Sequence, residues 1–130
     1  MKRRMYLKAM LAGTAALAGA GAQNGKNPIV LHVDLSVDPG KEQEMLRNFR
    51  TVFKPAAMKH PGYIDVRMLK LQSAMQGSAP AGMNYRFQLT YESEELRKKW
   101  VASDVHQKVW PMIENTLRSK DYTVLLFDSV

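Results

Sequence analysis

The 130-residue chain contains no cysteine, and that single absence excludes disulfides, thiolate metal sites and cysteine nucleophiles together. Histidine is sparse. The three present, His32, His60 and His106, are scattered, and beyond His32-x-Asp34 no spacing offers a ligand set, so no metal site is expected. There is no Gly-rich phosphate loop, no nucleophile elbow and no basic stripe with interleaved aromatics, which sets aside phosphate-loop, serine-hydrolase and nucleic-acid functions. Long apolar runs are missing too. The uncharged segment at residues 9–22 has 14 residues and several glycines, short of the roughly 20 that a membrane-spanning helix needs.

What is present begins with an address. Lys2, Arg3, Arg4 and Lys8 precede the Ala/Leu/Gly segment, which ends in the small residues AGAGA, the order of an export signal. The opening KRRMYLK resembles the twin-arginine class of signal, which exports proteins already folded. The expected organisation is a signal peptide at 1–22, a polar, fraying linker at 23–28 and one domain at 29–130. That places the mature protein in the periplasm or outside the cell, with no stable membrane association once the signal is cleaved. The chain carries 19 Lys+Arg against 12 Asp+Glu, a net charge of +7. Four of the basic residues and none of the acidic ones fall in 1–22, so the remainder is near neutrality and shows no electrostatic partner.

Residues 29–37, IVLHVDLSV, alternate strictly: Ile29, Leu31, Val33, Leu35 and Val37 point one way, and His32 and Asp34 the other. This predicts a strand. Asp38-Pro39-Gly40 caps a helix in which Met45, Phe49, Val52, Phe53 and Ala56 form the apolar face, ending before His60-Pro61-Gly62. A second strand covers 63–72, with Ile64, Val66 and Met68 on one side and Tyr63, Asp65, Arg67 and Leu69 on the other. The small, uncharged residues 73–83 form a loop, and residues 84–92 a third strand. Ser93-Glu94-Glu95 and Ser103-Asp104 each start a helix; the second runs to about Arg118 with a kink at Trp110-Pro111. Residues 122–130 close as a strand. Strand, helix, strand, strand, helix, strand is the ferredoxin-like split βαβ order: an α+β protein whose four-stranded antiparallel sheet has helices on one face. The uncovered face predicts a homodimer, each copy shielding the other's sheet.

That order, with VDPGKEQEMLRNF after the first strand, HPGYIDVRMLK opening the second and YESEELRKKWVASDVHQKVWP near the end, resembles the antibiotic biosynthesis monooxygenase (ABM) family of dimeric α/β barrels. The likeness covers residues 29–130. It implies a pocket between sheet and helices in which a small aromatic or quinol-type substrate is deprotonated and reacts with O2 itself, with no cofactor. The alternative is a non-catalytic ligand-binding or stress-related dimer of the same fold. Haem degradation, a third activity among such proteins, requires a tryptophan, a later histidine and a first-strand asparagine. Trp100 fits, but Trp110 stands where the histidine is expected, and Val33-Asp34 where the asparagine is expected.

The candidate catalytic residues are Trp100, His106 and His32. Trp100 matches the tryptophan of the family's W-x-x-S segment. His106 shares a helix face with Trp110 and reads either as a base or ligand at the pocket floor or as a packed core histidine. His32 with Asp34 forms an acid–base pair if their face turns toward the helices, and a polar interface pair if it turns away. Candidate substrate-binding residues are Trp110, Tyr91, Arg86 and Arg67. The arginines are suited to anchoring a phenolate or carboxylate, and the tyrosine to donating to a carbonyl; solvent-facing arginines and a packed tyrosine are the competing readings.

Overall fold

The computed structural model describes residues 27–130, so the expected signal and most of the expected linker lie outside the described residues. The end of that linker is pinned, not frayed: the Pro28 carbonyl accepts a hydrogen bond from the Ser129 amide at 2.9 Å. Among the described residues no helix is long and apolar enough to cross a membrane.

Strand β1 (Ile29–Leu35) follows the alternation, burying Ile29, Leu31, Val33 and Leu35. Asp38 caps the next segment through the Gly40 amide at 2.9 Å, and Pro39 takes the first turn, where its missing N–H costs nothing. The segment is not one regular helix. A 3-10 turn, Pro39–Lys41, leads into α1 (Glu42–Asn48), then a π-helical turn, Phe49–Phe53, then α2 (Lys54–Met58). Pro55 explains the wide turn, because its ring crowds the carbonyl one turn back and it has no N–H to donate. The widening has a packing consequence. Met45, Phe49, Phe53 and Ala57 repeat every fourth residue and all are buried. In a straight helix each four-residue step overshoots a turn by about 40°; the π turn offsets that drift, leaving Phe49 and Phe53 stacked with ring centroids 6.2 Å apart.

Strands β2 (Tyr63–Lys70), β3 (Tyr85–Tyr91) and β4 (Thr123–Asp128) complete a four-stranded sheet ordered β2-β3-β1-β4, every pair antiparallel. This is the ferredoxin-like α+β arrangement. A register shift between Tyr63 and Asp65 changes the expected phase of β2. Tyr63 packs on the core beside Val66 and Met68, while Ile64 is exposed, because a bulge inserts one unpaired residue.

One sheet face packs on the helices. On the other, the pairing aligns Leu125, His32, Gln88 and Arg67 in one row and Thr123, Asp34, Arg86 and Leu69 in the next. The centre of that open face is polar, while Leu125 and Leu69 stand exposed at the ends of these rows. Asp34, its side chain only 7% exposed, receives the Arg86 guanidinium through two nitrogens at 2.6 and 3.2 Å. The apolar exposure concentrates instead on β4, where Val124, Leu125, Leu126 and Phe127 are each more than two-fifths accessible, on both faces of one edge strand.

Candidate functional site

Helix α3 (Glu94–Ala102) starts at Ser93, whose hydroxyl accepts from the Leu96 amide at 3.2 Å, with Glu94 and Glu95 in its first turn. Both features favour a helix N-terminus. The helix stops at Ser103, which is extended, and α4 (Asp104–Val109) begins at the same residue. Ser103 joins the two: its hydroxyl donates to the Trp100 carbonyl at 2.6 Å and accepts from the His106 amide at 3.2 Å. The spacing W-x-x-S-x-x-H thereby sets one side chain against the other. Pro111 breaks the chain again, and α5 (Pro111–Glu114) ends four residues short of the expected Arg118. There the Thr116 hydroxyl donates back to the Ile113 carbonyl at 2.6 Å, and Leu117 leaves the helix to bridge Val37.

These breaks assemble a cavity of about 130 Å³ between helices and sheet. Its walls include Trp100, His106 and Trp110 from the helices, Phe53 from the π turn, Phe87 from β3, and Tyr122 with Val124 at the start of β4. Phe53 lies at the centre of the aromatic packing, edge-on to Phe87, Trp100 and Trp110 with centroids 5.3, 5.9 and 5.9 Å away. His106 meets Trp100 at 5.1 Å and 86°, and lies nearly parallel to Trp110. The imidazole pKa is pulled down to about 4, first by burial and second by the positive charge of Arg97, so the ring is neutral at neutral pH. Its backbone amide is capped by Ser103, but among the described residues no protein group hydrogen-bonds its ring nitrogens.

The remaining polar atoms of the wall are engaged. The Trp110 indole N–H donates to the Tyr122 hydroxyl at 3.1 Å, and that hydroxyl donates to Glu114 Oε2 at 2.7 Å. Burial and the Glu114 hydrogen bond both raise the Tyr122 pKa, keeping the phenol protonated.

Of the residues singled out from sequence, Trp100, His106 and Trp110 come together here. His32 does not. It sits on the opposite sheet face, bonded to Gln88 Oε1 at 3.0 Å and packed on Phe127, because its strand phase points away from the helices. Arg86 and Arg67 share that face and are committed to Asp34 and Asp65, so neither reaches the cavity. Tyr91 is on the helix face but packs in the core outside the cavity. Its hydroxyl is buried with no hydrogen-bond partner among the described residues, and burial raises its pKa. Sequence reasoning missed Phe53, Phe87 and Tyr122 as cavity walls. Phe53 and Phe87 carried only core-face signals, and nothing in the closing strand marked Tyr122. Among the described residues no three His, Asp or Glu side chains cluster closely enough to hold a metal ion.

No family model and no curated protein matches the chain. Solved structures do match. A dimeric ferredoxin-like protein of unknown function from Jannaschia sp. CCS1 superposes with a TM-score of 0.66 at 16% identity, covering 78% of this chain and 99% of the other. Two provisionally named antibiotic biosynthesis monooxygenases follow the same pattern. The one from Bordetella bronchiseptica has a TM-score of 0.65 at 16% identity, covering 81% of this chain and 99% of its own. The one from Caulobacter crescentus CB15 has 0.63 at 17%, covering 81% and 92%. The chain therefore has the ferredoxin-like α+β fold, shared with solved proteins given the antibiotic biosynthesis monooxygenase name.

Proposed function

We propose that this protein is a cofactor-independent monooxygenase that takes a small aromatic or quinol-type compound into the cavity beside Trp100, His106 and Trp110. The observation that supports this most is one neutral, unengaged imidazole in a pocket otherwise walled by aromatic and aliphatic groups. Such walls exclude water, and a phenolic hydroxyl has one place to donate a hydrogen bond. The chemistry balances without an external reductant: a phenol and O2 yield a quinone and water. One oxygen atom enters the ring, and the other leaves with the ring hydrogen and the hydroxyl hydrogen. Because its pKa is low, His106 is a weak base, so its part is to accept that hydrogen bond and hold the hydroxyl in place. The fold shared with proteins given the monooxygenase name supports the same class.

Oxygen uptake on a panel of phenols and hydroquinones tests this. Wild type should exceed the buffer rate on at least one compound, and His106→Ala should lower that rate at least tenfold while retaining native circular dichroism. Uptake at the buffer rate throughout would sink the oxygenase reading and favour a second one, a ligand-binding dimer without chemistry. That second reading has its own support, since no carboxylate orients His106 and burial weakens it as a base. Haem, the weakest alternative, has the least support, since Trp110 stands where a histidine is expected and a cavity of about 130 Å³ is much smaller than a haem.

Two further parts of the proposal concern assembly and location. The exposed apolar side chains of β4, an edge strand whose outer side pairs with no other strand among the described residues, favour cover by a second copy. Light scattering should give twice the mass of one chain, and Phe127→Lys should shift it toward one; a monomeric wild type would remove the dimer. Export through residues 1–22 should fail when Arg3 and Arg4 are replaced by lysine, as read by fractionation.

A further inference from the structure

We infer that the ligand of this cavity is uncharged, no larger than one six-membered ring, and bears a hydroxyl directed at His106. The inference rests on the reading that this cavity is the functional site, and not on any reaction with O2. Size comes first. About 130 Å³ is slightly less than an apolar cavity of roughly 150 Å³ that holds benzene, so one ring fills it. The walls do not widen easily, because Phe53 is wedged edge-on among Phe87, Trp100 and Trp110, and Trp110 is tethered through Tyr122 to Glu114. A second fused ring would have to displace Trp110 or Tyr122, or stand outside the cavity past Val124.

Charge comes second. Among the described residues no aspartate, glutamate, lysine or arginine lines the cavity. Arg86 and Arg67, the side chains suited to a carboxylate, are on the far face of the sheet and already paired. An anionic ligand would surrender its hydration for no free counter-charge, because Arg97, the cation nearest His106, is held by Glu94 through two nitrogens at 2.6 and 2.7 Å, and an aromatic wall does not offset that cost. Hydrogen bonding comes third. The Trp110 N–H and the Tyr122 hydroxyl hydrogen are committed to protein partners, which leaves His106 as the wall's open hydrogen-bonding group. A ligand with one hydroxyl satisfies it; a second hydroxyl, as in a hydroquinone, has to lie at the open side of the cavity to avoid burial without a partner.

Anaerobic titration calorimetry of the full-length protein with phenol, 2-naphthol and 4-hydroxybenzoate reads the three requirements separately from turnover. The greater apolar area of 2-naphthol alone would tighten binding by about tenfold. The expected result is that phenol binds, 2-naphthol binds no tighter than phenol, and 4-hydroxybenzoate binds at least tenfold more weakly. Trp110→Leu should reverse the order of phenol and 2-naphthol; should that variant not fold, the wild-type ratios decide alone. Tighter binding of 2-naphthol to wild type, equal or tighter binding of 4-hydroxybenzoate, or no heat from phenol would each overturn the inference. Oxygen uptake that fails while phenol binds would remove the oxygenase reading and leave this one standing.

Discussion

The His106 imidazole stands edge-on to the Trp100 indole, centroids 5.1 Å apart, and one hydroxyl, that of Ser103, ties the Trp100 carbonyl to the His106 amide. Two short helices broken at a serine thus act as a rigid clamp. The break costs a helical turn, but it turns both rings into one cavity, which an unbroken helix would not do, since residues six apart face different sides.

Burial of that imidazole sets a pH dependence of stability. The folded pKa, about 4, is below the ordinary value of 6.5, so the unfolded chain binds more protons between those limits. The contribution is present above pH 6.5 and is lost as pH falls toward 4. Urea midpoints at pH 7 and 4.5 should therefore fall more for wild type than for His106→Leu. Equal falls would show that other groups carry the effect.

Tyr91 should tolerate loss of its hydroxyl. The oxygen is buried without a partner, so Tyr91→Phe removes a desolvated polar group and keeps the ring. Stability should stay level or rise by about 1 kcal/mol in chemical denaturation, and oxygen uptake or ligand binding should not change. A clear loss of either would return Tyr91 to the site.

The Asp34–Arg86 pair should matter for the fold and not for the cavity. Arg86→Met leaves a nearly buried carboxylate with its two-nitrogen partner gone, at a cost of about 1–3 kcal/mol. Asp34→Asn with Arg86→Met should recover part of that loss in the double-mutant cycle; strict additivity would mean that the pair contributes nothing.

Gly62 opens β2 with φ +93°, and a Cβ there would lie 2.7 Å from the Leu96 Cβ and 3.1 Å from Tyr91 Cδ2. Gly62→Ala meets both backbone strain and the packed side of α3. A loss greater than about 1 kcal/mol is expected in the melting curve, whereas Gly77→Ala, with open space around it despite a similar φ, should show the backbone part alone.

Much of this was legible in one dimension. Strict alternation in β1 and β3, the Asp38 and Ser93 caps, the Ser103 restart and the Pro111 break all act within a few residues, and such local rules carry the element order and hence the ferredoxin-like fold. Pro55 was equally visible, and the π turn before it is its local consequence. Trp100, His106 and Trp110 were readable as one group because a helical stretch brings near neighbours in sequence close in space.

Faces and partners were another matter. Alternation shows that His32 and Leu31 point opposite ways but not which way is in, and only the packing of α1 and α3 on one side of the sheet sent His32, Arg67 and Arg86 away from the cavity. The bulge after Tyr63 reversed part of a strand because β2 and β3 had to stay paired, a constraint that neither strand carries alone. Phe53, Phe87 and Tyr122 became neighbours across dozens of residues, since a cavity wall is made of contacts between elements. Sequence by itself determined which elements form and in what order, because those forces are local; tertiary structure decided which residues share a site, because that depends on which faces pack.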